Sequence, residues 1–165
     1  LLLVQRGMSA EEADLQGVPS HGVRMLPGLL QAIRDGRVQA VPKIRLLREF
    51  GATCLLDGDN GPGRSVASRA MDLAIERAKQ FGAGVCLAIH TSHWGRAQHY
   101  AVRAARQGMV GICTTNGMPC MAARHCPGML RIIICIMSPD AGVVGDANTS
   151  GAEAAGAVVW LSPVE

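Results

Sequence analysis

Glycine sets the rhythm of this chain. Gly36, Gly82 and Gly108 each close a stretch with helical spacing of apolar residues, and Gly51 separates two short runs that read as strands. Glycine suits these places because it takes up the left-handed backbone that ends helices and reverses strands at little steric cost. Between these glycines the apolar period switches between roughly 3.6 and 2 residues, so helices and strands alternate. That alternation restricts the fold to the α/β or α+β class.

Ser9 followed by Glu12 has the spacing of a capping box opening a short helix. The stretch 17–22, with Gly17, Pro19 and Gly22, breaks it. A second helical pattern covers residues 23–35, with Leu26, Leu29, Leu30 and Ile33 on one face and Pro27 in its first turn, where a missing N–H does least harm. Strands are expected at 45–50 and 53–57, followed by a dense turn cluster over 57–63. Ser65 is expected to cap a helix reaching Phe81, with Val66, Ala70, Ala74, Ala78 and Phe81 as its inner stripe. Strands at 85–89 and 109–114 flank a loop over 90–95 and a helix over 96–107. Strand-like runs at 131–137 and 157–161 follow, separated by a loop rich in Gly, Asp, Asn and Ser. There is no internal repeat, and no linker long enough to divide two complete domains.

Of the 165 residues, 48% are hydrophobic and only 18% charged, enough for a sizeable core but a thin charged coat. Such a chain is expected to bury a further surface, against a second copy or a companion domain. The net charge of +3 is dispersed and aromatics make up 3%, which argues against nucleic acid and for a mildly basic pocket taking an anionic small molecule. The six cysteines form no CxxC pair and several sit in apolar runs, as expected of reduced, buried thiols in a cytoplasmic protein. Cys120, His125 and Cys126 can be drawn as part of a zinc site, but no second matched pair of ligands accompanies them. No apolar run reaches the ~18 residues of a membrane span. The chain begins at Leu1 rather than Met, from which an incomplete N-terminus is expected.

Two short stretches carry groups suited to chemistry. Ser20-His21-Gly22 places a hydroxyl beside an imidazole on a loop constrained by Gly and Pro. Histidine has the side-chain pKa nearest neutrality, so it donates and accepts protons without a large shift. The plainer alternative makes Ser20 a helix cap and His21 a surface residue, because adjacent side chains usually diverge. The second stretch, Ser92-His93-Trp94-Gly95-Arg96-Ala97, follows an apolar strand and opens a helix, where free N–H groups favour a phosphate or carboxylate. His93 can serve there as ligand contact or proton carrier, or the loop can be a simple cap. The glycines over 58–63 lack the spacing of a dinucleotide fingerprint and the lysine of a P-loop, so a structural turn is expected, and any dinucleotide site must be of another type.

Taken together, these stretches resemble the malate/L-lactate dehydrogenase family of non-Rossmann type, which takes in ureidoglycolate and sulfolactate dehydrogenases and delta-1-piperideine-2-carboxylate reductase. The likeness rests on the run from Ala13 through Ser20-His21-Gly22 to Pro27, on Leu55-Leu56-Asp57-Gly58-Asp59-Asn60-Gly61 with its helix, on Ser92-His93-Trp94-Gly95, on the strand from Gly108 to Ile112, and on Thr115-Asn116. It implies hydride exchange between NAD or NADP and a small 2-oxo or 2-hydroxy acid. Ser20 and His21 match the family's relay serine and proton-donating histidine, and His93 matches a histidine at the nicotinamide end. His93, Trp94, Gly95, Arg96 and Ala97 match a cofactor-contacting loop. Asp146, Ala147 and Asn148 match a further cofactor stretch. Residues 1–50 correspond to a helical segment of the substrate and dimer domain, and 51–165 to part of an NAD(P)-binding domain. A cytoplasmic homodimer binding neither nucleic acid nor membrane is implied as well.

The chain departs from the family in three ways. It is considerably shorter, so the fold is expected to be incomplete. Many members carry an arginine for the substrate carboxylate at the position of Met25; Arg24, one step earlier, is the candidate here. Where the family reads Gly-Thr-Asn-Pro after Leu130, this chain reads Arg131-Ile132-Ile133-Ile134. An inactive remnant, or a binding and oligomerisation module, is therefore carried beside the enzyme reading.

Overall fold

The structure, a computed structural model, describes residues 10–117, 131–137 and 157–163, with side chains described over 12–114. The described helices are α1 (Ala10–Leu15), α2 (Leu26–Arg34), α3 (Gly63–Phe81) and α4 (Ala97–Ala105). The strands are β1 (Arg45–Phe50), β2 (Thr53–Gly61), β3 (Gly84–Thr91), β4 (Met109–Gly117), β5 (Arg131–Met137) and β6 (Ala157–Pro163). They form one mixed sheet in the order β1-β2-β3-β6-β4-β5. Only β2 and β3 run parallel, joined through α3; the other pairs are antiparallel. The mixed α and β composition agrees with the class expected.

The core lies where α3 and α4 cover the sheet. Val66, Ala70, Met71, Ala74 and Ala78 of α3 are buried, and Cys54, Leu56, Cys86 and Ala88 supply the facing side of β2 and β3. Small residues in this stripe let the helix lie close to the strands. Closest of all is Gly84, where an added Cβ would stand 1.9 Å from the Ala74 carbonyl oxygen. Cys54, Cys86 and Cys113 are buried and in no disulfide, as expected. Cys120, His125 and Cys126, the zinc alternative, lie outside the described residues, as do Ser9 and the stretch 146–148.

Several boundaries differ from expectation for local physical reasons. Strand β2 runs on to Gly61, through residues expected to form a turn. Asp59 and Asn60 adopt left-handed backbone (φ 52° and 51°), which these residue types tolerate best after glycine, so the irregularity is absorbed within the strand. The Asp57 carboxylate fastens it by accepting the Asp59 N–H at 3.0 Å, and Asp59 accepts the Lys43 N–H at 2.9 Å. Helix α3 begins at Gly63 after Pro62, so Ser65 sits inside the first turn and caps nothing; its N–H bonds to the Pro62 carbonyl at 3.0 Å. Phe81, the last helical residue before Gly82 turns left-handed, is 46% exposed and leaves the expected inner stripe. Residues 23–25 form a 3₁₀ turn before α2, and Ala32 is the buried residue of α2. Leu26 and Leu30 are exposed while Leu29 and Ile33 are half-buried, so the apolar face read from the sequence is only partly covered among the described residues.

Candidate functional site

The parallel strands β2 and β3 end at the same edge of the sheet and deliver two loops to one place. Ser92 joins them. Its N–H and its hydroxyl both bond to the Gly61 carbonyl, at 3.1 and 3.0 Å, while its oxygen accepts the Gly63 N–H at 3.0 Å. Gly63 is needed for this approach, since a Cβ there would stand 2.0 Å from the Ser92 carbonyl oxygen. The bridge carries His93 over the first turn of α3.

The segment containing Ser20 and His21 reaches the same place from the N-terminal side. It winds into two short 3₁₀ turns, Pro19–His21 and Val23–Met25. Asp14 of α1 holds the junction, accepting the Val23 N–H at 2.9 Å, and its carboxylate occupies the space a side chain at position 22 would need. Arg96 bonds to Gln16 at 2.6 Å and His99 pairs with Glu12 at 3.6 Å, tying α1 to the start of α4. From the first turn of α3, Arg64 donates to the His21 carbonyl at 2.8 Å.

These ties bring the two imidazoles together. The rings of His21 and His93 lie 5.6 Å apart, centroid to centroid, inclined by 35°. Ser20 Oγ is 3.0 Å from His21 Nδ1, so the adjacent side chains converge and Ser20 does not cap a helix. His93 Nδ1 accepts the Gly95 N–H at 3.2 Å, which leaves a neutral His93 with its proton on Nε2. A cleft of about 380 Å³ opens at His93, lined also by Met25, Leu29, Val38, Arg37, Arg64 and Ser92 among others; His21 stands next to His93 and is not part of the lining. Apolar walls with a few convergent polar groups are what a small-molecule site requires.

The sequence pattern of the malate/L-lactate dehydrogenase family matches residues 9–126. The chain belongs to that family. It is 46% identical over 110 residues to the malate dehydrogenase of Pyrococcus horikoshii, a match covering 67% of this chain and 31% of the relative. It is 40% identical over 111 residues to the L-sulfolactate dehydrogenase of Methanocaldococcus jannaschii, covering 67% of this chain and 32% of that one. The solved structure of the Pyrococcus horikoshii malate dehydrogenase superposes with a TM-score of 0.72 at 40% identity, covering 79% of this chain and 38% of that chain. The chain thus spans about a third of the length of these two relatives.

Within the family pattern, the structure unites Ser20, His21, His93 and Gly95. Trp94 turns the other way: it is buried, its ring stacked on Tyr100 at 5.4 Å, and the Tyr100 hydroxyl bonds to its carbonyl. Ala97 opens α4 and packs partly on the core. Arg24 is exposed on the second 3₁₀ turn, outside the lining of the cleft, whereas Met25 faces it. Sequence reasoning missed Asp14, Arg64 and the bridging role of Ser92. Only the neighbourhood of Arg64, a basic residue in the first turn of a helix after Gly61-Pro62-Gly63, could have drawn attention to it.

Proposed function

We propose that this chain is the part of an NAD(P)-dependent oxidoreductase that carries the proton-transferring histidines, acting on a small 2-oxo or 2-hydroxy acid. One observation carries the reading: two imidazoles, far apart in sequence, meet, and one of them, His93, lines a mostly apolar cleft. The cleft has room for a nicotinamide ring with a small acid, and His93, Gly95, Arg96 and Ala97 belong to the loop that would hold the cofactor. When bound, the nicotinamide supplies or takes up the hydride.

The chain's own residues manage the proton. Reducing a carbonyl requires a proton at the developing alkoxide, and His21 would give it. With Ser20 donating to Nδ1, the His21 proton resides on Nε2, and Ser20 orients the ring and relays the next proton to it. His93, its Nδ1 engaged by Gly95, offers an Nε2–H that steadies the same oxygen. The apolar part of the lining lowers the local dielectric, which strengthens both interactions.

The test is NADH and NADPH oxidation by the purified chain at 340 nm, with pyruvate, oxaloacetate and a cyclic imine. Turnover with one of these, reduced roughly 10²–10⁴-fold in His21→Ala, is expected. A flat trace with all of them would favour a family member that keeps the fold without turnover. The reading extends to a cytoplasmic homodimer. Phe50 (87% exposed), Leu30 and Val41 supply the apolar surface a partner would cover, and sedimentation of the purified chain as a monomer at all concentrations would remove that part. No helix among the described residues is long and apolar enough to cross a membrane.

A further inference from the structure

We infer that Arg64, in the first turn of α3, takes the carboxylate of the substrate at the histidine pair. This deepens the proposed function and rests on it. A 2-oxo acid bears its carboxylate one bond from the carbon that takes the hydride, so a cation that holds the carboxylate has to stand close to the group that protonates the carbonyl oxygen. The lining of the cleft contains two cations, Arg37 and Arg64, and no carboxylate among the described residues. Arg37 stands at the rim: its side chain is 66% exposed and is paired with Asp35 at 2.8 Å.

Arg64 is placed where the acid must lie. Its guanidinium donates to the His21 carbonyl, and its Nε would be 3.1 Å from a Cβ added at Gly95, two residues past His93. It therefore spans the loop carrying one imidazole and the loop carrying the other. A guanidinium is a planar fork that grips carboxylates in a fixed orientation. The positive end of α3, a 19-residue helix, adds to the field at the same point. Met25 and Leu29 line the same cleft and give it an apolar part, fit for an uncharged substrate tail.

The test is titration of the purified chain with oxamate, a carboxylate of the size and shape of pyruvate, and with its uncharged ethyl ester, followed by the ring signals of His21 and His93. Oxamate should shift both rings and bind more tightly than the ester. Arg64→Gln should weaken oxamate roughly 10- to 100-fold and abolish its advantage over the ester. Arg37→Gln and Arg24→Gln should leave the advantage intact. A general loosening of the site would weaken both ligands alike and overturn the assignment. So would Arg64→Gln, correctly folded, binding oxamate as the unaltered chain does. If Arg64→Gln fails to fold, Arg64→Lys decides: it should bind more weakly, and undiminished affinity overturns the assignment. If oxamate moves neither ring in the unaltered chain, the oxo-acid reading itself falls and takes this one with it.

Discussion

The hydroxyl of Ser92 accepts the N–H of Gly63 at 3.0 Å while donating to Gly61 at the same distance, so one side chain joins the loops that follow β2 and β3. Ser92→Ala would leave the N–H of buried Gly63 without its partner and loosen the loop bearing His93. A loss of roughly 1–3 kcal/mol in unfolding free energy is expected. Gly63→Ala should do more damage, because the new methyl meets backbone rather than a movable side chain. Urea titrations of the two variants check this, and a Gly63→Ala variant as stable as the unaltered chain would contradict the close approach.

Asp57 governs the acid limit of this region. The Asp59 N–H, then His90 and Arg45, hold its carboxyl well below the ordinary 3.8, at about 2. Arg45 bonds to it at 2.8 Å and His90 Nδ1 lies 3.1 Å away. A carboxyl whose pKa is depressed on folding contributes stability that is complete above the unfolded value and lost as the pH falls from 3.8 toward about 2. Asp57→Asn should therefore flatten the acid limb of the stability curve in that window, most visibly at low salt. An unchanged limb in urea titrations at low salt from pH 5 to 2 would show that the pairing carries no stability.

Much of the fold was legible because its signals are local. Gly82 ends α3, the stripe Val66–Ala70–Ala74–Ala78 is buried, and Arg131–Met137 is a strand, each dictated by periodicity or by one residue's backbone preference. The extension of β2 through Asp59 and Asn60 was not legible. It depends on the Asp57 carboxylate and on pairing with β3, and neither is a property of the residues that take the left-handed backbone. The site divides the same way. Ser20, His21 and His93 announce themselves by chemical type. Their convergence does not, because it is set by Asp14, Ser92 and Arg64, whose partners lie in other elements, 9, 29 and 43 residues away.

Tyr100 is the chain's single tyrosine. It is buried, stacked on Trp94, and its hydroxyl donates to the Trp94 carbonyl. Burial pushes its phenol above the ordinary 10.0, so the folded protein keeps it protonated where an unfolded chain begins to ionise. Stability from this group is present below pH 10.0 and lost as the pH rises toward the folded value. The phenolate absorbance step near 295 nm should then coincide with alkaline unfolding followed by circular dichroism. Ionisation of Tyr100 ahead of unfolding would mean the ring is reached by solvent. Tyr100→Phe keeps the stack, loses the bond, and should cost about 0.5–1.5 kcal/mol.

Cys54 and Cys86 are directly opposed on the parallel strands β2 and β3, both facing α3. The hydrogen bond between the two thiols works in opposite directions on them. It favours the thiolate of Cys54, which Arg77 also favours against the effect of burial, and it holds the proton on Cys86, where burial adds to the effect. Both thiols are buried, Cys54 at 5% exposure and Cys86 at 0%, and Cys54 sits next to a groove of about 460 Å³ bordered by Phe50, Leu55 and Leu87. Because the thiolate is the nucleophile, iodoacetamide should label Cys54 first. Cys86→Ala should slow that labelling by withdrawing the donor that favours the thiolate. Peptide mass spectrometry of timed, native-state samples reads both rates, and labelling of Cys86 ahead of Cys54 would reverse the assigned direction of the bond.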